Sequence, residues 1–366
     1  MYGLSAIVQT TEDCNLRCRY CSVSAGELNK KDSMNAEILQ NVIEKLVMRT
    51  PKRATKFIWH GGEPLLAGLG FYQQAVDIQE GLRNEGYKID NSIQTNGILI
   101  NDKWAEFFKK NNFRIGISLD GPKEVNDKNR IFPNGRGTYE AIKKGSRTLD
   151  KHGIKHDYLG VLSCFDKEIQ KRLIALIDYE KKGFKLNVVN PIGRASTEPD
   201  FKLSGTEHSE FFIELFENWI QGKGKGYLMP IARKYLEPVL TNKPHECTYL
   251  EDCQQSMIGV APNGDVYPCA RFTNFKEFCY GNIVVNSLDE ILSHPKRIAL
   301  TKRSENLDRK CGVCDHSQIC NGGCPVNAYQ TGDLNNADYE CSQHKKIFSH
   351  IKSRIKQEIR GGNKDA

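Results

Sequence analysis

No stretch of the 366 residues supplies the roughly 18 uninterrupted apolar positions that a membrane-crossing helix requires, and Met1 to Thr10 lack a basic segment followed by an apolar one. Membrane-spanning and exported readings are thereby excluded. A dominant charge is also missing. The 52 Lys and Arg against 45 Asp and Glu leave a formal +7 spread along the chain, too diffuse to be a nucleic-acid footprint. There is no internal repeat and no low-complexity tract, and between Cys21 and Cys247 the only cysteine is Cys164. At 39% hydrophobic and 27% charged residues, the chain has the make-up of an ordinary globular protein. It has length for about two domains and a core that needs no disulfide staples.

Cysteine is abundant elsewhere. The total of 13 is odd and cannot pair completely. In a chain without an export signal the expected compartment is the reducing cytoplasm, where thiols serve as metal ligands or catalytic groups more often than as disulfides. Three lie at Cys14, Cys18 and Cys21, and nine lie between Cys247 and Cys341. Two separate metal regions follow from that distribution.

From Ser5 to about Asn190, short β-rich runs alternate with amphipathic helical stretches, the pattern of a parallel sheet covered by helices. Strands are expected at Ala6–Gln9, Lys56–His60, Ser92–Thr95, Arg114–Ser118, His156–Leu162 and Lys185–Val189. Helices are expected at Asn35–Met48, Tyr72–Asn84, Asp102–Lys110, Thr138–His152 and Lys167–Lys181. Asn35 and Asn101 suit N-terminal caps, and Gly86, Gly153 and Gly183 suit left-handed stops. Six such units make an α/β fold, a doubly wound sheet or a partial barrel, with chemistry at the carboxyl ends of its strands. After Pro191 the rhythm changes. Ser209–Ile220 reads as a further helix, and the glycine-lysine connector Gln221–Gly226 marks a boundary. Pro262-Asn263-Gly264-Asp265 signals a hairpin, and Lys345–Arg360 reads as a basic amphipathic helix before a frayed tail. The expected division is 1–223, 224–345 and 346–366.

The spacing Cys14-x3-Cys18-x2-Cys21 follows directly on the first strand. Three thiolates so placed can cap three corners of a cubane iron-sulfur cluster and leave the fourth iron open to a substrate or cofactor. The alternative, a structural zinc knuckle, wants a fourth donor, and no His or Cys lies between Cys21 and His60. Cys14-Asn15-Leu16-Arg17-Cys18-Arg19-Tyr20-Cys21 resembles the signature loop of the radical S-adenosylmethionine (AdoMet, SAM) superfamily. The resemblance implies a partial (β/α)6 barrel and a [4Fe-4S] cluster whose open iron binds the amino and carboxylate groups of AdoMet. It extends to His60-Gly61-Gly62-Glu63-Pro64, similar to the family's GGE element, in which Gly62 and Glu63 are implied to meet the methionine part. Tyr20 matches the aromatic near adenine, and Ser118 and Arg130 match positions on the ribose and carboxylate side.

In the second region the cysteines run Cys247-x5-Cys253-x15-Cys269, then Cys311-x2-Cys314-x5-Cys320-x3-Cys324-x16-Cys341. Cys311-x2-Cys314 alone is compatible with zinc, but eight thiolates divide evenly into two four-cysteine sites. The arrangement resembles the SPASM domain that follows some radical SAM barrels and carries two auxiliary [4Fe-4S] clusters. The resemblance implies Cys247, Cys253, Cys269 and Cys324 for the first and Cys311, Cys314, Cys320 and Cys341 for the second. Cys164 and Cys279 are left over and are expected to be structural.

The cofactors implied are three [4Fe-4S] clusters and AdoMet, cleaved to a 5′-deoxyadenosyl radical that takes hydrogen from an unactivated carbon. SPASM proteins mostly act on peptides or proteins, so the expected partners are such a substrate and a small electron donor such as flavodoxin or ferredoxin. A maturase of ribosomally made peptides, forming a cross-link or a related C–H functionalisation, is the leading expectation. No fused leader-binding domain is expected ahead of Cys14. Sulfatase-activating, formylglycine-forming enzymes are the alternative; they place an aspartate base after the third cysteine of the first auxiliary set, where this chain has Ala270. A small-molecule dehydrogenase and a non-enzymatic iron-sulfur electron carrier are further alternatives.

Overall fold

The computed structural model describes residues 3–23, 32–49, 52–163, 166–198, 201, 207–223, 229–251 and 253–362. Cys164, and the expectation of its burial, lie outside them. The chain divides into two compact units, each built from separate stretches. The first comprises residues 1–161, 189–201 and 254–298, and the second residues 162–188, 202–253 and 299–366.

Among the described residues nine strands form in chain order: β1 (Ser5–Gln9), β2 (Thr55–His60), β3 (Ile89–Thr95), β4 (Arg114–Ser118), β5 (His156–Leu162), β6 (Phe184–Val188), β7 (Met257–Val260), β8 (Asp265–Tyr267) and β9 (Gly281–Asn282). The first five match the sequence expectation to within three residues at either end. In the first unit the order is β5-β4-β3-β2-β1-β7-β8-β9. Strands β5 through β1 and β7 are parallel, and β8 and β9 return antiparallel. The sheet is open, as a partial barrel requires. The hairpin signalled by Pro262 to Asp265 is the β7–β8 turn, closed by Gly264 N–H donating to the Ala261 carbonyl.

Period-two patterning buries Ala6 and Val8 on β1 and Phe57 and Trp59 on β2. Helix Ala36–Met48 covers the sheet with Ile38, Leu39, Val42, Ile43, Leu46 and Val47. It starts where the Asn35 side chain accepts the Ile38 amide, and Asn101 caps Asp102–Lys110 in the same way through Trp104. Gly86 and Gly153 take the left-handed conformation expected of them, at φ 96° and 68°. Gly183 does not act as the third stop. Helix Lys167–Glu180 ends earlier, and Lys181 itself turns left-handed at φ 51° while its amide closes on Ile177. Trp59, Tyr72, Trp104, Phe107, Phe108 and Phe113 form an edge-to-face and stacked aromatic core. Within it, Trp59 Nε1 donates to Asn91 Oδ1 at 2.9 Å, and Asn91 exchanges hydrogen bonds with Gln79.

The second unit contains β6 and helices Lys167–Glu180, Glu207–Ile220, Met229–Thr241 and Cys341–Gly362, the last packed on both of the preceding two. The helix Met229–Thr241 carries Pro238 in its interior, a residue that argues locally against helix. Ile347, Phe348 and Ile351 of the C-terminal helix are fully buried. Its basic residues Lys346, His350 and Arg354 pair with Glu210 and Glu217 of the helix beneath. Among the described residues, no helix is long and apolar enough to cross a membrane.

Replacing Asn101 by alanine removes the side-chain acceptor at that helix start and is expected to destabilise the first unit by about 1 kcal/mol. A lowered urea midpoint with an unchanged slope would report it.

Candidate metal centres

The loop after β1 is held as a backbone-bonded shelf. Arg17 and Arg19 amides donate to the carbonyls of Ile131 and Asn129 at 2.8 and 2.9 Å, which ties the cysteine loop to the segment carrying Arg130. The Arg17 guanidinium turns back onto the carbonyls of Cys14 and Leu16. Within the loop, the Leu16 amide donates to the Cys14 sulfur and the Cys21 amide to the Cys18 carbonyl. Burial pushes the Cys14 thiol up to about 12, with Glu63, Cys18 and Cys21 adding to the shift. Burial likewise takes Cys18 up to about 11, against the pull of Arg130. Gly193 follows Ile192 at φ 60°, and a Cβ there would meet the Cys21 and Ser22 carbonyl oxygens at 2.5 Å. Only glycine lets that segment lie against the third cysteine.

The end of β2 explains its two glycines. A Cβ on Gly62 would stand 2.1 Å from the Asp13 carbonyl oxygen, and one on Gly61, at φ 132°, would stand 2.5 Å from that of Thr11. Their absence allows the Gly62 and Glu63 amides to bond the Thr11 and Asp13 carbonyls at 2.8 and 2.9 Å. The Glu63 side chain is fully buried. Its Oε1 accepts from Thr95 Oγ1 at 2.6 Å and the Leu65 amide at 3.0 Å, and Oε2 accepts from the Asn96 amide at 2.8 Å. Burial raises its pKa, and those hydrogen bonds pull the other way. The carboxylate thus fastens β2 to β3, and Asn96 passes the link on to Asn15 in the cysteine loop at 2.7 Å.

At the end of β4, Asp120 is buried and gathers three groups. Its Oδ1 accepts from Arg130 Nε at 3.1 Å and from the Val161 amide at 2.9 Å, and its Oδ2 accepts from the Tyr20 hydroxyl at 2.5 Å. The guanidinium of Arg130 lies 5.6 Å from the centre of the Tyr20 ring, and Tyr20 packs edge-on against Phe201. Burial works against the charge on Arg130, but Asp120, Tyr20 and Cys18 together outweigh it and hold its pKa well above the ordinary value. Ser118 stands at the same strand end and accepts from Gln94 at 2.9 Å. Tyr20, Gly62, Glu63, Ser118 and Arg130 are therefore all found at the carboxyl ends of β1, β2 and β4 or in the loops that follow, with the three cysteines. Asp120 is the residue that the sequence reading passed over. It lies in Ile117-Ser118-Leu119-Asp120-Gly121, and an acidic side chain at a parallel strand end was the available signal.

In the second unit, Cys311, Cys314, Cys320 and Cys341 line one cavity together with Lys310, Lys345, Asp338 and His344. Burial raises the thiols of Cys311, Cys320 and Cys341, and each is raised further by other members of the quartet. Cys253 and Cys324 are buried and Cys247 is exposed, in the second unit; Cys269 belongs to the first unit. A Cβ on Gly259 of β7 would meet the Cys269 carbonyl carbon at 2.5 Å, so glycine lets Cys269 lie against the strand. The Cys279 thiol donates to the Gly281 carbonyl at 3.5 Å.

The donor sets fit iron-sulfur clusters by their chemistry. Three thiols share the β1 loop with a glycine-lined close approach beside them, and four thiols, the full set a four-iron cluster takes, face one cavity that His316 and His344 also line.

Residues 8–178 match the Radical SAM superfamily, and residues 247–315 match the SPASM iron-sulfur cluster-binding domain. The chain is 29% identical over 363 residues to the serine-type anaerobic sulfatase-maturating enzyme of Bacteroides thetaiotaomicron, across 92% of this chain and 86% of the relative. It is 27% identical over 367 residues to the cysteine-type anaerobic sulfatase-maturating enzyme of Clostridium perfringens, across 97% and 98%. A solved structure described as native anSMEcpe with bound AdoMet matches with a TM-score of 0.82 at 26% identity, covering 97% of this chain and 98% of that one.

Two substitutions test the site. Gly62→Ala drives a methyl group into the cysteine loop and is expected to leave about 8 irons per chain after reconstitution, against about 12 for three four-iron clusters. Asp120→Ala strands Arg130 and is expected to cost about 3–5 kcal/mol of stability in the first unit, as for other broken buried pairs. Unchanged iron in the first variant or an unchanged denaturation midpoint in the second would contradict these assignments.

Proposed function

We propose that this chain, which carries a radical SAM domain followed by a SPASM domain and is a radical SAM enzyme, oxidises a side chain of a peptide or protein substrate, with formylglycine formation on a sulfatase as the leading case. The observation that carries the proposal is likeness along nearly the whole chain to sulfatase-maturating enzymes, together with a cysteine loop fitted to a cluster at the carboxyl edge of the sheet. The family resemblance in the sequence, taken with Ala270 where an aspartate is expected, favours a peptide cross-linking maturase and ranks sulfatase activation second. The relatives favour the reverse order.

The radical SAM and SPASM domains bring [4Fe-4S] clusters, and AdoMet is the cofactor of the similar structure. We assign Cys14, Cys18 and Cys21 to the cluster that AdoMet meets, and the two cysteine quartets to auxiliary clusters. When bound, these groups supply one-electron chemistry strong enough to take a hydrogen atom from an unactivated carbon. The residues of the chain do the rest. Gly61 and Gly62 open a backbone-lined approach, Glu63 keeps the ends of β2 and β3 together, and Asp120 fixes Tyr20 and Arg130 against the loop. The electron donor we propose is a small carrier such as flavodoxin or ferredoxin.

Turning a seryl CH2–OH into an aldehyde removes a hydrogen atom from the carbon, a proton from the hydroxyl and one further electron. The proton needs a base. Ala270 opens the one-turn helix Ala270–Phe272 directly after Cys269, and its methyl group accepts no proton. That observation favours the second reading, a cross-link or related C–H functionalisation whose base lies elsewhere.

The reconstituted enzyme with AdoMet, a strong reductant and a seryl or cysteinyl sulfatase peptide is expected to release 5′-deoxyadenosine and a product that a hydrazide captures as an aldehyde. Both signals should vanish in the Cys14/Cys18/Cys21 triple alanine variant. Ala270→Asp is expected to raise aldehyde yield about tenfold or more, within the usual range for a positioned general base. Deoxyadenosine with a product that has lost hydrogen but resists hydrazide would replace formylglycine formation by the cross-linking reading.

A further inference from the structure

The second unit holds a buried cation that no carboxylate among the described residues touches. Arg303 is 4% exposed. Its Nε donates to the Leu334 carbonyl at 2.5 Å, Nη1 to Asn321 and Gly323 at 3.0 and 2.9 Å, and Nη2 to Gly322 and Asn336 at 3.1 and 2.9 Å. A guanidinium has five N–H donors, and here every one ends on a backbone carbonyl.

Those carbonyls are placed with purpose. Asn321, Gly322 and Gly323 fill the gap between Cys320 and Cys324, and all three are left-handed, at φ 46°, 72° and 73°. Leu334 and Asn336 precede Asp338 and Cys341. The guanidinium therefore staples the turn between two cysteines to the turn that leads into a third. Carbonyl dipoles alone do not offset the desolvation of a full charge. Burial lowers the pKa of Arg303, and Cys324, Asp338, Cys311 and Cys253 work against that shift. Asp338 is already committed, accepting the Cys324 and Glu340 amides and the Asn327 side chain at 2.8 to 3.0 Å.

We propose that Arg303 is the charge-compensating residue of the auxiliary iron-sulfur region: its guanidinium is fixed by five carbonyls among the cluster cysteines, balances the negative charge of the sulfur-ligated irons and raises their reduction potential. Net charge is one of the quantities that set such potentials, and a cation held close favours the reduced, more negative state. Arg303 acts through the clusters and touches no substrate, so it is a positioning residue. The inference rests on the two auxiliary cysteine sets. The iron content of the unaltered protein, about 12 per chain, tests those sets separately because that count does not involve Arg303.

The experiment is a redox titration followed by electron paramagnetic resonance on reconstituted Arg303→Met and Arg303→Lys beside the unaltered protein. Arg303→Met with full iron is expected to shift the auxiliary reduction equilibrium at least tenfold toward the oxidised form, a fall of about 59 mV for one electron, while the cluster of Cys14, Cys18 and Cys21 keeps its potential. Arg303→Lys, which retains the charge without the five-fold hydrogen bonding, is expected to restore most of the shift. Full iron with unchanged auxiliary potentials in Arg303→Met would overturn the proposal and leave a backbone staple. If Arg303→Met loses auxiliary iron, Arg303→Lys decides: clusters at the unaltered potential support the charge, and loss of iron in both variants overturns it.

Discussion

Buried charge is tolerated only when every acceptor is used, and the carboxyl edge of the first unit is organised around that constraint. Asp120 meets Arg130, Tyr20 and the Val161 amide at 3.1, 2.5 and 2.9 Å. These come from the loop after β4, the cysteine loop and the end of β5, so one carboxylate fixes three segments relative to its own strand. Glu63 does the equivalent for β2 and β3 through Thr95, Leu65 and Asn96. Each link is individually modest, but leaving a buried carboxylate without partners costs several times as much. The edge therefore has one favourable arrangement, and the loop bearing three thiols is held ready before any ligand arrives.

Glycine supplies the complementary device. Gly61, Gly62 and Gly193 stand where a Cβ would come within 2.1 to 2.5 Å of carbonyl oxygens in the segment that contains the cysteines. The carboxylates hold segments by attraction and the glycines let them approach. A radical enzyme has particular need of both, because its reactive group must be aimed and shielded from water by a frame that does not relax.

Most of this was legible where the determinant is local. Period-two burial on β1 to β5, the Asn35 and Asn101 caps and the close-set cysteines all act within a few residues, and the family resemblance they support holds over the two matched domains. What escaped was set at long range. Asp120 reads in sequence as a turn residue after a strand, and only the approach of Tyr20, from 100 positions earlier, gives it a role. Met257–Val260 carries no mark of pairing in parallel with β1, since that register is chosen by packing across the chain. Helix Met229–Thr241 is masked by Pro238, whose local penalty the Tyr235, Phe212 and Phe348 contacts override. Gly183 was a plausible stop, but the helix ended first and Lys181 accepted the left-handed conformation. Arg303 looked like one basic residue among 52 Lys and Arg.

The choice between the two chemistries turns on a single methyl group. The backbone at Ala270 is not free to vary: Gly259 of β7 allows Cys269 and the Ala270 amide to lie against the strand, and Thr273 closes the turn onto the Ala270 carbonyl at 2.9 Å. Alanine there keeps the turn and removes only the capacity to take a proton. The Glu63 and Asp120 networks are made without residue 270, so the carboxyl edge of the sheet does not depend on what stands there. Both chemistries release a proton, from a hydroxyl or thiol in one and from the second carbon or sulfur in the other, so with alanine at 270 the group that takes it has to be another residue. The place of the base, rather than the carboxyl edge of the sheet, is then where this chain departs from the pattern expected of a sulfatase activator.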